Sequence, residues 1–162
     1  MLQKANPALH PATLIYAPAT SILTGRAELD VSARAAWQVV GDFAGFAQFI
    51  TGLERTEMTG SGVRSLRKKL FADGSIVVEQ LNTHDDAAMV MTWSLIYTTF
   101  DIGNLWASMR AEPRGENACT VTWDIAGEPW AGGTGSQPEF EAFVTGFLDM
   151  AMTNLRNLFN TR

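Results

Sequence analysis

The stretch QPEFEAFVTGFLDMAMTNLRNLFN, residues 137–160, decides the fold. Phe140, Phe143, Val144, Phe147, Met150, Ala151, Leu155, Leu158 and Phe159 recur at three- and four-residue steps, the apolar stripe of one long amphipathic helix. Gly146 lowers its stability by about 1 kcal/mol relative to Ala, which predicts a close approach or a slight bend there. The middle of the chain reads as antiparallel strands, and a sheet of that kind with one apolar face needs a cover. The terminal helix is that cover. A strongly curved sheet cannot touch a straight helix along its whole length, so an apolar space is expected between them.

Working back from the helix, residues 127–138 form a loop rich in Gly, Pro and Ser. Cys119, Val121, Trp123 and Ile125 alternate with Thr120, Thr122 and Asp124, and Leu105, Ala107, Met109 and Ala111 alternate with Trp106, Ser108, Arg110 and Glu112. Both are strands with one apolar face. In the strand before them Met89, Met91, Trp93, Leu95 and Tyr97 form a bulky, aromatic inward face. Phe71-Ala72-Asp73-Gly74 has hairpin-turn chemistry, because Asp and Gly tolerate positive φ. With Phe71 facing Gly74, Leu66 lies opposite Glu79 and Arg64 opposite Leu81, so Arg64 and Glu79 become diagonal neighbours on the face of Leu66 and Leu81. A weaker strand spans Leu53 to Thr59. Near the start, Leu23, Ala27, Leu29 and Val31 mark a first strand, and Ser32 is placed to cap a short helix carrying Ala36, Trp37, Val40 and Phe43. Gly41 and Gly45 break it from a second short helix with Phe46, Phe49 and Ile50. Residues 1–20, with Pro7, Pro11 and Pro18, read as an extended arm, leaving residues 21–162 as one domain.

Composition narrows the function. The chain is 46% hydrophobic and 18% charged, which suits an ordered globule. A net charge of -5 and a basic stretch no longer than Arg64, Arg67, Lys68 and Lys69 argue against nucleic-acid binding. Cys119 is the single cysteine, so no internal disulfide can form. The N-terminal residues make a poor signal peptide and no stretch has the length of a membrane helix, so a cytoplasmic protein without stable membrane insertion is the expectation. His10, in the arm, and His84, in the polar turn Asn82 to Asp86, cannot form a metal site together, and neither metal nor cofactor is expected. Gly132-Gly133-Thr134-Gly135 lacks the lysine of a phosphate loop and reads as a flexible rim.

The order strand, two short helices, six strands and long helix is the helix-grip order. With AWQVVGDFAGFAQF from Ala36, GVRSLRKKLFADGSIVVEQL from Gly62 and VTWDIAGEP from Val121, the chain resembles the START-like superfamily, also called SRPBCC or birch-pollen-allergen-like. Within it the similarity is to the bacterial polyketide cyclase/dehydrase-like group, over roughly residues 21–160. The resemblance implies an α+β fold, a curved antiparallel sheet of about seven strands wrapped around the C-terminal helix, with a large apolar cavity. The segment TTFDIGN from Thr98 departs from the Pro-rich loop of the group.

Arg64 and Glu79 match the Arg and Glu of the group's strand-hairpin pattern. They are read either as an ion pair that fixes strand register or as a ligand clamp in which Arg64 holds a carboxylate or phenolate. Trp93, Tyr97 and Trp123 can stack on a flat ligand or simply fill a core, and Met91, Met109 and Met150 supply adaptable surface. The expected ligand-binding set is therefore Arg64, Leu66, Glu79, Leu81, Met91, Trp93, Tyr97, Met109, Trp123, Phe143, Phe147 and Met150. The partner is a small hydrophobic or aromatic molecule. Three functions fit: a binding or carrier protein; an aromatase/cyclase-like or dehydratase-like enzyme using Arg64, Glu79 and Tyr97; or an interaction protein whose cavity is filled. The loops Asp101 to Asn104, Gly127 to Pro138 and Gly60 to Gly62 are the expected gates.

Overall fold

The computed structural model describes residues 18–160, and most of the expected arm, His10 included, lies outside them. Strand β1 (Leu23–Leu29) leads into helix α1 (Ala33–Val40) and a single 3-10 turn (Phe46–Gln48). Strands β2 (Leu53–Thr59), β3 (Leu66–Phe71), β4 (Ile76–Asp85), β5 (Val90–Thr98), β6 (Asn104–Pro113) and β7 (Cys119–Glu128) follow, and helix α2 (Gln137–Asn160) closes the chain. The strands form one curved antiparallel sheet of seven, in the order β1-β7-β6-β5-β4-β3-β2. Sequence neighbours pair throughout except for β1, which lies beside β7. The chain crosses from one sheet edge to the other through α1 and the 3-10 turn, and this crossing supplies the floor of the core.

Local chemistry explains the crossing. Ser32 is extended, and its Oγ accepts the amide of Ala35 at 3.1 Å, the cap expected from sequence. Gly41 ends α1 by donating its amide to the Trp37 carbonyl at 2.7 Å, and a Cβ there would sit 2.4 Å from the Trp37 ring. The chain then turns Phe43, Phe46 and Phe49 into the core, each buried. Helix α2 presents Phe140, Val144, Leu148, Ala151, Met152 and Leu155 to the sheet. That stripe is rotated from the expected one: Leu148 and Met152 are buried, whereas Phe143 and Leu158 are about half exposed. Gly25 of β1 accommodates this rotation: a Cβ there would lie 3.1 Å from Met152 Cγ and 3.2 Å from Leu148 Cβ, so the missing side chain leaves room for both. Gly146 makes no such contact; a Cβ there would meet open space.

The β3–β4 hairpin is one residue away from the expected register. Phe71 donates its amide to the Ser75 carbonyl at 3.0 Å, so the loop is Ala72-Asp73-Gly74, with Gly74 at φ 88. This is a three-residue connection ending in a left-handed glycine rather than a two-residue turn. Arg67 therefore pairs with Glu79 and Leu66 with Gln80. A one-residue slip exchanges the faces of a strand. Arg67 and Lys69 go inward with Glu79, while Leu66 turns to the other face and is only partly buried.

Candidate functional site

The inner face of β3 and β4 carries charges that the rest of the core does not. Arg67 Nε donates to Glu79 Oε1 at 2.9 Å, Lys69 Nζ lies 3.0 Å from the same oxygen, and Trp93 Nε1 donates to Glu79 Oε2 at 3.1 Å. The Arg67, Lys69 and Glu79 side chains are all at least nine-tenths buried. Arg67 Nη1 also donates to the Phe43 carbonyl at 2.8 Å, and its guanidinium lies 3.9 Å from the Phe43 ring centroid and 4.0 Å from that of Phe46. This planar cation stacks on ring faces while donating in its plane to a fixed carboxylate, a combination the guanidinium fork suits. Burial draws the Arg67 pKa down against the opposing pull of Glu79. For Glu79, burial favours the neutral acid, but the charges and hydrogen bonds of Lys69 and Arg67 outweigh it and hold the carboxylate below its ordinary range. Lys69 is the weak member. Burial brings its pKa down from 10.5 to about 8 despite the attraction of Glu79, with Arg67 adding repulsion.

This triad opens on an apolar chamber of about 80 Å³ between the sheet and α2. Lys69 and Glu79 are the ionisable members of its wall; Trp93, Trp123, Leu105, Ala107, Ile125 and Phe147 dominate the rest. Trp93 and Trp123 meet edge to face at 5.8 Å, and Trp123 meets Phe147 at 5.3 Å. Phe100, Ile102 and Phe143 belong both to this chamber and to an outer recess of about 190 Å³ walled by Asp101, Pro129, Gly135, Ser136 and Glu139. The recess lies on the surface beside the chamber and shares that part of its wall. Asp101 Oδ2 accepts the Gly135 amide at 2.9 Å, tying the two loops expected at the rim across it. The third expected gate, Gly60 to Gly62, lies elsewhere, in a surface groove with Phe43, Leu81 and His84.

Of the residues expected from sequence, Glu79, Trp93, Trp123, Phe143 and Phe147 line the chamber. Leu81, Met91 and Met109 are buried in the core outside it. Met150 is partly buried, its sulfur accepting the Thr51 amide at 3.3 Å. Arg64 is exposed at φ 74 in the turn before β3, so its expected diagonal with Glu79 is replaced by the direct Arg67–Glu79 pair. Tyr97 is 57% exposed. The pairing shifts between Glu79↔Leu95 and Val78↔Tyr97, and this bulge at Ile96 reverses the alternation, carrying Tyr97 to the outer face with Val78. A second shift, after Leu81↔Trp93, lets β4 run to Asp85, so His84 is a strand residue with Nε2 2.9 Å from the Gly41 carbonyl rather than a turn residue. The residues missed were Lys69 and Arg67, although their alternation in VRSLRKKL was visible; only the register says which basic residues face in.

The sheet, the gripping helix and the chamber between them define a START-like protein. Residues 21–160 match the family described as polyketide cyclase/dehydrase and lipid transport, and the chain belongs to it. Similar solved structures include the XoxI protein of Bacillus cereus, at 21% identity and TM-score 0.78, covering 87% of this chain and 96% of that one. A START superfamily protein of Mycobacterium smegmatis aligns at 12% identity and TM-score 0.72, covering 86% and 97%. The Zhui aromatase/cyclase of a Streptomyces species aligns at 13% identity and TM-score 0.69, covering 85% and 94%. At such identities the likeness is one of fold. No curated protein sequence matches the chain. Among the described residues, no helix is long and apolar enough to cross a membrane, and no cluster of metal-binding side chains occurs.

Proposed function

We propose that this protein binds a small hydrophobic or aromatic molecule in the chamber under α2 and acts as a binding or carrier protein. The observation that carries this reading is an apolar chamber at the heart of the fold, walled by Trp93, Trp123 and Phe147 and sharing part of its wall with a surface recess. The family's description, with lipid transport beside cyclisation, supports the same class. The chamber is narrower than the roughly 300 Å³ of an ordinary small-molecule site. A ligand larger than a few atoms therefore needs Phe143 to swing outward, and that ring, shared by chamber and recess, is already half exposed.

The aromatase/cyclase-like alternative has less support. A general base must be free to take a proton, and both oxygens of Glu79 are committed to Arg67, Lys69 and Trp93, with a pKa held low. Arg64 and Tyr97, the other expected catalytic groups, are exposed and outside the chamber. Native mass spectrometry of the purified chain tests the reading. A co-purifying small molecule is expected in the wild type and is lost in Leu105→Trp, which fills the chamber from β6. Retention of the same molecule in a folded Leu105→Trp protein would refute the placement.

A further inference from the structure

The chamber holds an imbalance that packing alone does not require. Two buried cations, Arg67 and Lys69, share the one carboxylate of Glu79, and both are bound to the same oxygen. The residues that β5, β6, β7 and α2 turn to the chamber are apolar, so nothing there offsets the excess. Asp42, exposed in the turn after α1 and not part of the chamber wall, adds a weaker attraction on Arg67 and none at Lys69. Hydrogen bonding is skewed the same way. Arg67 Nη2 and Trp123 Nε1 are buried donors without acceptors, and the Lys69 ammonium carries three protons against its contact with Glu79 Oε1. Arg67 is not part of the chamber wall, so the surplus reaches the chamber through Lys69, whose spare donor protons and uncompensated charge an anionic acceptor would satisfy.

Resting on the ligand-binding reading above, we propose that the ligand is an apolar monocarboxylic acid whose carboxylate is held by the Lys69 ammonium while its hydrocarbon part lies against Trp93, Trp123 and Phe147 and points to the recess. Lys69 fits this role better than Arg67, because it belongs to the chamber wall whereas Arg67 is enclosed by Phe43, Phe46 and Trp93. The acidic groups at the recess, Asp101 and Glu139, face water and are bonded to Gly135 and Ser136, so solvent and salt screen them from a passing carboxylate. A bound carboxylate also stabilises the charged form of Lys69, so binding near the pKa of about 8 takes up protons.

The test is calorimetric titration of the full chain with octanoate and with octan-1-ol, which share a tail and differ in head group. At about pH 7 octanoate is expected to bind roughly tenfold more tightly than the alcohol, and Lys69→Met is expected to abolish or invert that preference. Equal binding of both compounds by the wild type, blocked in Leu105→Trp, would overturn the acid proposal and leave the chamber reading intact. Binding of neither would overturn both. An undiminished preference in Lys69→Met would place the carboxylate on another group and refute the role of Lys69. Should that variant not fold, the wild-type preference carries the test: it must fall between about pH 7 and pH 9.5 as Lys69 loses its proton, and a constant preference refutes the proposal.

Discussion

Replacing Glu79 by Gln keeps the shape of the side chain and removes the charge that three buried donors share. Arg67 Nε, Lys69 Nζ and Trp93 Nε1 lie 2.9, 3.0 and 3.1 Å from its oxygens. Removing one partner of a buried ion pair typically costs about 3–5 kcal/mol, because the other charge is left in a medium that cannot solvate it. The amide oxygen keeps one acceptor and Lys69 can shed its proton, so Glu79→Gln is expected within that range rather than at the sum of its bonds. For a chain of this size the melting temperature should drop by roughly 6–20 °C. Lys69→Met provides the contrast. It leaves Arg67 and Glu79 paired and removes the surplus cation, so its stability at neutral pH should stay within about 1 kcal/mol of wild type. Urea unfolding followed by tryptophan emission reads both, since Trp93 and Trp123 are in the core. If Glu79→Gln costs less than about 1 kcal/mol, or Lys69→Met costs as much as Glu79→Gln, the triad is not the unbalanced assembly described here.

The same lysine gives a pH signature. Its folded pKa of about 8 lies below the unfolded 10.5, so between these values the unfolded chain binds more protons and stability rises with pH. As pH falls through 8 that contribution is lost, so wild type minus Lys69→Met in unfolding free energy should climb across the window, and a flat difference would contradict it. Two glycines separate close approach from open space: in Gly127→Ala the new Cβ would lie 2.5 Å from Phe140 Cζ and 2.7 Å from the Asn104 carbonyl oxygen. A loss of about 1–3 kcal/mol is expected there. Gly146→Ala, facing open space on α2, should instead gain roughly 0.5–1 kcal/mol, and thermal melts of the two variants moving in the same direction would refute the reading.

Much of the architecture was legible in residue order. The weaker strand expected over Leu53 to Thr59 coincides with β2, Ser32 caps α1, and the apolar recurrence from Phe140 to Leu155 makes α2, because each depends on local pattern or on a bond a few residues away. The apolar face of β6 was equally plain in Leu105 and Ala107. Glu79 was identified as the buried acid of the site, but its partner was not. Phe71-Ala72-Asp73-Gly74 contains Asp and Gly in a form that suits either a two- or a three-residue connection, and the amide of Phe71 reaching Ser75 decides between them. That single residue of register moves Arg64 out of the site and brings Arg67 and Lys69 into it. Likewise nothing in Leu95-Ile96-Tyr97 announces the bulge that turns Tyr97 outward, since an unbroken alternation and a bulged one have the same sequence pattern. The sequence by itself determined the elements and which faces are apolar, because these follow from short-range geometry. Cross-strand pairing, which only the folded sheet settles, decided which charges meet in the chamber under α2 and how many of them lack a counterpart.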